Sequence, residues 1–384
     1  MRIQFDTGPL AGASRLALGG AAHGSVFEAP SSMICAYTPD ELPDAFKAIE
    51  VAKAQGQWLA GYMSYELGMC LDSALDPLVR FGARSDNDLP LLEFGVYAAP
   101  ELATMTLNVG NVQSKLTPAW PLARYTDAFD QVKSYIEAGD CYQVNLTFPV
   151  AVQTNAAPRQ LYDALRGRQP VPYGVLIETD HHAFLSRSPE LFFKTDAQGQ
   201  ITVRPMKGTV ARAKNADQDA KAKAWLAASE KDQAENLMIV DLLRNDLSRI
   251  SDIGSVKVPY LFDIEAYKTV YQMTSTITAQ LLPDTDFHTL CKALFPCGSI
   301  TGAPKIRAME IIDELEQAPR GAYCGAMGWI APDGQSEFNV AIRTLVFETG
   351  SQTGHMNVGG GLVYDSTAEA EYNEALLKAE FARL

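Results

Sequence analysis

Hydrophobic residues recur at helical spacing in separate segments of the chain. The first, Pro39–Gln55, predicts an amphipathic helix, and the strand-like run WLAGYMSYE follows it. The second, Thr126–Ala138, repeats apolar side chains on one face, and Gly139 directly after it is a typical helix stop. A third segment, Gln233–Leu243, is apolar nearly all round, so we expect a buried helix there.

Runs rich in β-branched and aromatic residues predict many strands in the remaining chain. The predicted strands are Tyr142–Val150, Tyr173–Glu178, Ala183–Thr195, Ile201–Val210, Tyr267–Gln280, Ala322–Ile330, Phe338–Glu348 and Met356–Tyr364. Many strands with few helices favour an α+β fold, with stacked antiparallel β-sheets and helices packed on the outside. A polar, turn-rich stretch over 108–121 predicts a boundary between a smaller N-terminal region, 1–115, and a larger region, 116–384.

Composition and charge exclude several classes of protein. The 384 residues include 32 Lys and Arg against 46 Asp and Glu, a formal net charge of −14, whereas nucleic-acid-binding proteins show a basic excess. No apolar run approaches the roughly 18 residues of a membrane span, and the N-terminus lacks the features of a signal peptide. We therefore expect a cytoplasmic protein without membrane or nucleic-acid partners. Six cysteines without CxxC spacing argue against a disulfide scaffold, and five histidines without metal-ligand spacing argue against zinc.

The predicted C-terminal helix carries acidic side chains on one face. Ser366–Glu369 has the pattern of a capping box at its start. Glu371, Glu374 and Lys378 then share one face, and the preceding strand ends in three glycines that allow a ligand close to the backbone. Taken alone, a solvated charged face is the simpler interpretation.

A second acidic pair, Asp232 and Glu235, begins the helix that we expect to be buried. Carboxylates at a helix start can simply complement the helix dipole. On so apolar a helix, however, they need partners, and a divalent cation shared with Glu371 and Glu374 would provide one. Mg²⁺ suits such a site, because it accepts one or two protein carboxylates together with substrate oxygens and water.

Two further segments have both a functional and a plain structural interpretation. Gly298–Lys305 (GSITGAPK) precedes a predicted helix, so its free N–H groups and lysine predict an anion site, although a loop that only turns the chain is equally compatible. Lys207 follows an alternating strand in RPMKGT, and in isolation it is typical of a surface lysine.

Read together, nine blocks of the chain resemble the chorismate-utilising enzymes, the family of anthranilate, aminodeoxychorismate, isochorismate and salicylate synthases. The blocks are GDCYQVNLTF, SRSPELF, RPMKGT, AENLMIVDLLRNDL, GSITGAPK, RGAYCGAMG, FNVAIRT, VGGGLVYDS and EAEYNEALLKA. They run from about Tyr125 to Lys378, while the N-terminal third is more divergent and matches mainly through AGYMSYELG. The resemblance implies the family's fold and makes 116–384 the chorismate-binding catalytic region, with 1–115 packed on it.

Two positions select among the family's activities. The residue before Gly-Thr in RPMKGT is a lysine in aminodeoxychorismate synthases and typically an alanine in anthranilate synthases, and here it is Lys207. Members that add water carry a lysine base where this chain has Gln143. The resemblance therefore implies an enzyme of the aminodeoxychorismate branch, which leads to 4-aminobenzoate and folate. Gln272 replaces a histidine found in many members, and no role is expected for it.

The resemblance also implies roles for individual residues. Lys207 is expected to attack C2 of chorismate as a covalent nucleophile, and Glu190 to protonate the leaving C4 hydroxyl. Glu235 and Glu374 match ligands of Mg²⁺, and Asp232 and Glu371 match their outer partners. The remaining expected substrate-binding residues are Gly208, Thr209, Tyr323, Arg343, Gly360, Gly361 and Lys378.

The family resemblance implies partners as well. Ammonia is expected from a separate glutamine amidotransferase subunit, with free ammonia as a substitute in vitro. Two alternatives remain open at this point. Anthranilate synthase component I leaves Lys207 unexplained, and a non-catalytic chorismate-binding regulatory subunit leaves the acid, nucleophile and metal ligands unexplained.

Overall fold

The structure is a computed structural model that describes residues 1–10, 23–80, 88–104, 110–267 and 270–384. Its strands, in chain order, are β1 (Arg2–Phe5), β2 (His23–Phe27), β3 (Ser32–Ala36), β4 (Trp58–Met63), β5 (Leu92–Tyr97), β6 (Glu101–Thr104), β7 (Ser114–Pro118), β8 (Gln143–Thr154), β9 (Tyr173–Glu178), β10 (His182–Ser188), β11 (Leu191–Thr195), β12 (Gln200–Arg204), β13 (Met206–Ala211), β14 (Lys257–Ala266), β15 (Val270–Gln280), β16 (Gly302–Ala303), β17 (Ala326–Ile330), β18 (Ser336–Val340), β19 (Thr344–Glu348) and β20 (Thr353–Leu362). Its α-helices are α1 (Leu42–Ala54), α2 (Leu122–Ala138), α3 (Pro158–Arg168), α4 (Ala216–Ala228), α5 (Glu230–Ser248), α6 (Phe287–Leu294), α7 (Lys305–Glu316) and α8 (Ala368–Ala379).

These strands form two antiparallel sheets. The first has the order β16-β8-β20-β19-β10-β9-β1-β2-β6, with β7 also paired to β8. The second has the order β13-β15-β12-β11-β18-β17-β4-β5-β3, with β14 also paired to β15. Strands from the first hundred residues lie at one end of each sheet and join the rest through the β1–β9 and β4–β17 pairings. The proposed division at residue 115 stays a prediction.

The two sheets stack face to face, and helices cover their outer faces. In β10, Phe184 points into the core between the sheets, whereas Ala183 and Leu185 point into the core beneath the helices. This alternation is what a strand buried on both faces requires, because successive side chains point to opposite sides. The expected α+β architecture of stacked antiparallel sheets with outer helices is confirmed.

The helix and strand predictions agree with the structure in type and differ at specific boundaries. Gly139 ends α2 with φ +82°, as the sequence indicated. The predicted strand 183–195 is two strands, since the chain leaves the first sheet after β10 and enters the second at β11. The predicted strand 338–348 divides in the same way between β18 and β19. The predicted strand 201–210 divides at Pro205, and that predicted over 267–280 begins at Val270, with residues 268 and 269 outside the described part.

Two local predictions were wrong. The helix α5 is not buried on all sides, because Leu237 is 44% exposed and only one of its faces contacts the core. The C-terminal helix lacks the expected capping box. It is preceded by Thr367, whose side chain makes no capping bond, and Ser366 Oγ instead donates to Glu371 Oε1 at 2.7 Å. None of the helices within the described ranges has the length and apolar character needed to cross a membrane.

Candidate active site

Two neighbouring segments, in which the chain crosses from one sheet to the other, carry an acidic and a basic residue. Glu190 lies between β10 and β11, and Arg343 precedes β19 after the chain leaves β18. The crossovers are hydrogen-bonded to each other, since Arg187 N–H donates to Arg343 O at 2.9 Å and Val340 N–H donates to Glu190 O at 3.1 Å. The sandwich thus places a carboxyl and a guanidinium at the seam of its two sheets.

A β-bulge positions Lys207. The register of β13 against β15 shifts between Met206 and Thr209, which leaves Lys207 and Gly208 outside the regular ladder. Gly208 has φ +85°, a conformation that L side chains rarely adopt. Bulges redirect the side chains that they contain, so this irregularity sets the direction of the lysine.

The lysine amine lies over a glycine of β20. A Cβ built on Gly361 would lie 2.9 Å from Lys207 Nζ and 2.9 Å from Gln143 Cδ, so any side chain at position 361 would displace both groups. Gln143 is fully buried, and neither its amide nitrogen nor its amide oxygen has a hydrogen-bond partner in the described part of the chain. The backbone of Gly361, the amine of Lys207 and the unsatisfied amide of Gln143 therefore lie next to one another.

The charges on Lys207 and Glu190 are both destabilised by burial. Glu190 is 4% exposed, and burial raises its pKa to about 7, against the opposing effects of the Ser299 hydrogen bond, Lys207 and Arg343. Burial, assisted by the charge of Lys378, lowers the pKa of Lys207, while Glu235, Glu190 and Glu374 oppose the shift. The carboxyl is thus poised to hold a proton near neutral pH, and the amine is biased towards its neutral form.

Four carboxylates lie around this point on α5 and α8, in two pairs. Burial raises the pKa of Glu235, helped by the charges of Asp232 and Glu371. The neighbouring Lys378 lowers the pKa of Glu374, and the two side chains form an ion pair at 2.9 Å. Among the residues that the structure describes, no three His, Cys, Asp or Glu side chains converge closely enough to hold a metal ion. The predicted ligands thus surround the site without a preformed ligand cluster.

Glycines let these acidic and basic groups approach the backbone. A Cβ on Gly208 would lie 2.9 Å from Asp232 Oδ1. A Cβ on Gly360 would lie 3.2 Å from Glu371 Oε2 and 3.3 Å from Lys378 Nζ. The floor of the site is therefore glycine backbone without side chains, bordered by one carboxylate from each helix.

Arg343 has no ion pair or side-chain hydrogen bond within the described part of the chain, and burial lowers its pKa. It lines an open cleft of about 330 Å³ together with Tyr267 and Gln272. Gln272 Nε2 donates to the exposed Thr209 Oγ1 at 3.4 Å. Tyr323, by contrast, is 7% exposed and packs in the core under the helices of the second sheet.

Two residues of the glycine-rich loop, Gly298–Lys305, have different environments in the structure. Lys305 forms an ion pair with Asp246 at 2.8 Å and donates to Leu294 O, so its charge already has a partner. The residue of this loop that reaches the site is Ser299, whose Oγ donates to Glu190 Oε1 at 2.7 Å. Sequence reasoning missed Ser299, because nothing in the local pattern links it to a glutamate more than a hundred residues away.

Comparisons with known proteins identify the family of the chain. The sequence profile of the chorismate binding enzyme family matches residues 21–383. Aminodeoxychorismate synthase component 1 of Klebsiella aerogenes is 43% identical over 73% of this chain, and anthranilate synthase component 1 of Pseudomonas aeruginosa is 41% identical over 66%. The matched segments span only 60% and 51% of those two proteins.

Solved structures support the fold. Anthranilate synthase component I from Streptococcus pneumoniae superposes with a TM-score of 0.81 at 23% identity, covering 94% of this chain and 92% of that one. The family profile extends over nearly all of the sequence, including the seam, the bulge and both acidic helices. The chain therefore belongs to the chorismate binding enzyme family.

Proposed function

We propose that the chain is the chorismate-aminating component of an aminodeoxychorismate synthase. The observation that carries this proposal is the position of Lys207, which a bulge directs over Gly361 beside the buried Gln143 and within the field of the buried acid Glu190. A surface lysine would need none of these features. The similarity to aminodeoxychorismate synthase component 1 supports the same assignment.

In the first step, the neutral Lys207 amine attacks C2 of chorismate. The two ring double bonds shift, and the C4–O bond breaks with its electron pair. Glu190 donates a proton to that oxygen, which leaves as water. The attacking nitrogen of Lys207 becomes positively charged and releases one of its own protons, which balances the proton given by Glu190. General acid catalysis of this kind requires a carboxyl that is still protonated near neutral pH, which burial of Glu190 favours.

In the second step, ammonia attacks C4, and the reverse shift of the double bonds expels Lys207 from C2. The departing lysine amine gains one proton, and the new C4 ammonium loses one. The product is 4-amino-4-deoxychorismate, and the lysine is regenerated. We propose that a glutamine amidotransferase subunit in the cytoplasm supplies the ammonia, which the words "component 1" in the name of the bacterial relative support. The product would serve synthesis of 4-aminobenzoate for folate.

The residues around the bulge fit a hard divalent cation in their chemistry. All four candidate donors are carboxylates, and the charges of Asp232 and Glu371 already help to raise the pKa of Glu235, a repulsion that a cation would relieve. Glu235 and Glu374 would hold Mg²⁺, with Asp232 and Glu371 as outer partners. When bound, Mg²⁺ would neutralise these carboxylates and polarise the ring carboxylate of the substrate.

The remaining substrate contacts are proposed from position and charge. Arg343, which has no carboxylate partner of its own in the described ranges, would bind the enolpyruvyl carboxylate through two parallel hydrogen bonds. The family resemblance assigns Tyr323 to the same carboxylate, although its side chain packs in the core beneath the helices of the second sheet. The other contacts would come from the glycine backbone and the residues that border it: Gly208, Thr209, Gly360, Gly361 and Lys378.

The covalent step can be tested by mass spectrometry. Chorismate is added to the protein with Mg²⁺ but without ammonia, and the peptides are then analysed. We expect an adduct on the Lys207 peptide that is absent from the Lys207→Ala variant and retained in Lys194→Ala, which removes an exposed lysine on β11. An adduct mass that persists in Lys207→Ala would contradict the assignment.

The nature of the product separates the two remaining alternatives. With ammonium salt present, we expect 4-amino-4-deoxychorismate, detected as 4-aminobenzoate after a lyase is added. Anthranilate fluorescence without a lyase would instead identify an anthranilate synthase. Chorismate binding without turnover, unaffected by Lys207→Ala or Glu190→Gln, would identify a regulatory subunit.

A further inference from the structure

We propose that Ser299 is a positioning residue that orients the carboxyl of Glu190 for proton transfer. Ser299 Oγ donates to Glu190 Oε1 at 2.7 Å, and both residues are almost completely buried, at 6% and 4% exposure. An acceptor role for Oε1 leaves Oε2 as the oxygen that carries the proton of the neutral acid. The serine would therefore select which carboxyl oxygen donates to substrate. This inference rests on the proposed role of Glu190 as the general acid.

The turn that carries Ser299 is anchored independently of Glu190. Ser299 lies in a short 3-10 helix, Gly298–Ile300, and the guanidinium of Arg320 donates to Ile300 O at 3.1 Å. On the other side, Asn145 N–H donates to Thr301 O at 2.8 Å. A hydroxyl on so constrained a turn has little freedom to reorient, which is the condition for fixing a neighbouring carboxyl.

The buried thiol of Cys297 lies next to the hydroxyl of Ser299. Cys297 Sγ lies 3.3 Å from Ser299 Oγ, and burial raises the pKa of this thiol to about 12, so it keeps its proton. Because the hydroxyl hydrogen of Ser299 is directed to Glu190, the thiol donates to Ser299 Oγ in this arrangement. Thiols are weak donors, so this outer contact adds little to the direct hydrogen bond.

Other charged and titratable groups also act on Glu190, and the experiment must separate them from Ser299. Lys207 and Arg343 favour its ionised form, as does a backbone N–H of Met206. Three further groups interact with it electrostatically without an ion pair: Tyr267, Cys297 and Cys324. None of these contacts is removed by truncating Ser299, so a Ser299 variant isolates the effect of the Ser299 hydroxyl.

The main test is the Ser299→Ala variant. Loss of the donor destabilises the carboxylate, so the alkaline limb of the kcat/KM profile should move up by about one pH unit, as expected for a hydrogen bond to a charged group. We also expect kcat at pH 6.5 to fall about tenfold with KM within about twofold, because the acid is no longer oriented. Ser299→Thr, which keeps the hydroxyl, should restore both values.

Controls distinguish positioning from general disruption of the turn. Cys297→Ala, two residues away, should move the alkaline limb by about 0.3 units or less. Ser299→Cys, with a weaker donor of similar size, should give a shift between those of alanine and threonine. An unshifted limb in Ser299→Ala, or equal shifts in Ser299→Ala and Ser299→Thr, would overturn the proposal.

A measurement without turnover separates this inference from the proposed function. The infrared carbonyl band of protonated Glu190, assigned by its loss in Glu190→Gln, can be titrated in the free protein. We expect its midpoint to rise by about one unit in Ser299→Ala. If the midpoint moves but the wild-type protein makes no 4-amino-4-deoxychorismate, the proposed function fails while the control of Glu190 by Ser299 stands. An unmoved midpoint contradicts the inference itself.

Discussion

Two clusters of charged residues lie on either side of the 3-10 turn at Ser299, and they differ in whether their charges have partners within the protein. In the first, Arg320 donates to both oxygens of Glu316, to Ile300 O and to Asn145 O, and Glu316 also accepts from Thr147. In the second, around the bulge, Lys207 and Arg343 have no ion pair within the described ranges. The first cluster is satisfied within the protein, and the second is not.

The pKa shifts follow this difference. Burial acts to lower the pKa of Arg320 as it does for Arg343. For Arg320, the charge and hydrogen bond of Glu316 together with Tyr65 and Cys324 outweigh burial, and the pKa is raised. No neighbour outweighs burial for Arg343 or Lys207. The charged form is thus stabilised in one cluster and destabilised in the other, which is the pattern that the proposed binding of substrate and metal requires.

The largest expected effect lies in the unsatisfied cluster. Lys207→Ala should lower kcat/KM for amination by at least about 10³-fold, because a covalent nucleophile has no substitute. The free energy of unfolding should stay within about 0.5 kcal/mol of wild type, since no ion pair is lost. Steady-state kinetics and urea denaturation measure both, with Lys194→Ala as the control. A large loss of stability would show that Lys207 belongs with the structural cluster.

The satisfied cluster should respond in the opposite sense. Glu316→Gln leaves the buried Arg320 without its counter-charge and directs an amide towards other donors, so the free energy of unfolding should fall by about 3 kcal/mol. Glu314→Gln, an exposed neighbour on α7 whose partner is the Tyr135 hydroxyl, should cost less than about 0.5 kcal/mol. Equal stabilities for the two variants in urea denaturation would remove the distinction between the clusters.

Much of the fold that positions these clusters could be predicted from local patterns. Helix α2 and its end at Gly139 follow from periodicity and from the left-handed backbone that glycine accepts. The crossovers at Glu190 and Arg343 could not be predicted, because a strand buried on both faces reads the same in either sheet. The predicted strands 183–195 and 338–348 each consist of two strands that belong to different sheets. Glu190 and Arg343 lie in the segments that connect these strands.

The sequence indicated which residue types could form the candidate site, but it did not indicate which of them pair with one another. Spacing placed Glu374 and Lys378 on one face of α8 but could not show that they pair at 2.9 Å. In the glycine-rich loop, the sequence drew attention to Lys305, whose charge is matched by Asp246, rather than to Ser299. These outcomes depend on contacts between segments far apart in sequence, which no local pattern contains.

A substitution that keeps the charge sharpens the comparison for Arg343. Arg343→Lys should raise KM for chorismate about 10- to 30-fold, because an ammonium cannot make two parallel hydrogen bonds to a carboxylate. The free energy of unfolding should not change, because arginine and lysine would adopt the same backbone φ of +50° at this position. In addition, Arg343 has no internal partner in the described region that the substitution would remove. Arg244→Lys, whose guanidinium pairs with Asp241 at the surface, is the matched control. An unchanged KM would exclude Arg343 from carboxylate binding.

The smallest expected effect is the response of the wild-type protein to pH. Burial raises the pKa of Glu190 to about 7, so the carboxyl is protonated below that pH and loses its proton as the pH rises through it. A general acid is active in its protonated form, so kcat/KM should be level below pH 7 on this limb and fall about tenfold per unit above it.

Glu190→Gln should remove this limb along with most of the activity. The Arg320–Glu316 pair should not contribute, because Arg320 donates to Glu316 and to backbone carbonyls rather than to Glu190. If the limb instead lay near pH 4.5, the ordinary value for a glutamate, Glu190 would be fully ionised at neutral pH and could not be the acid.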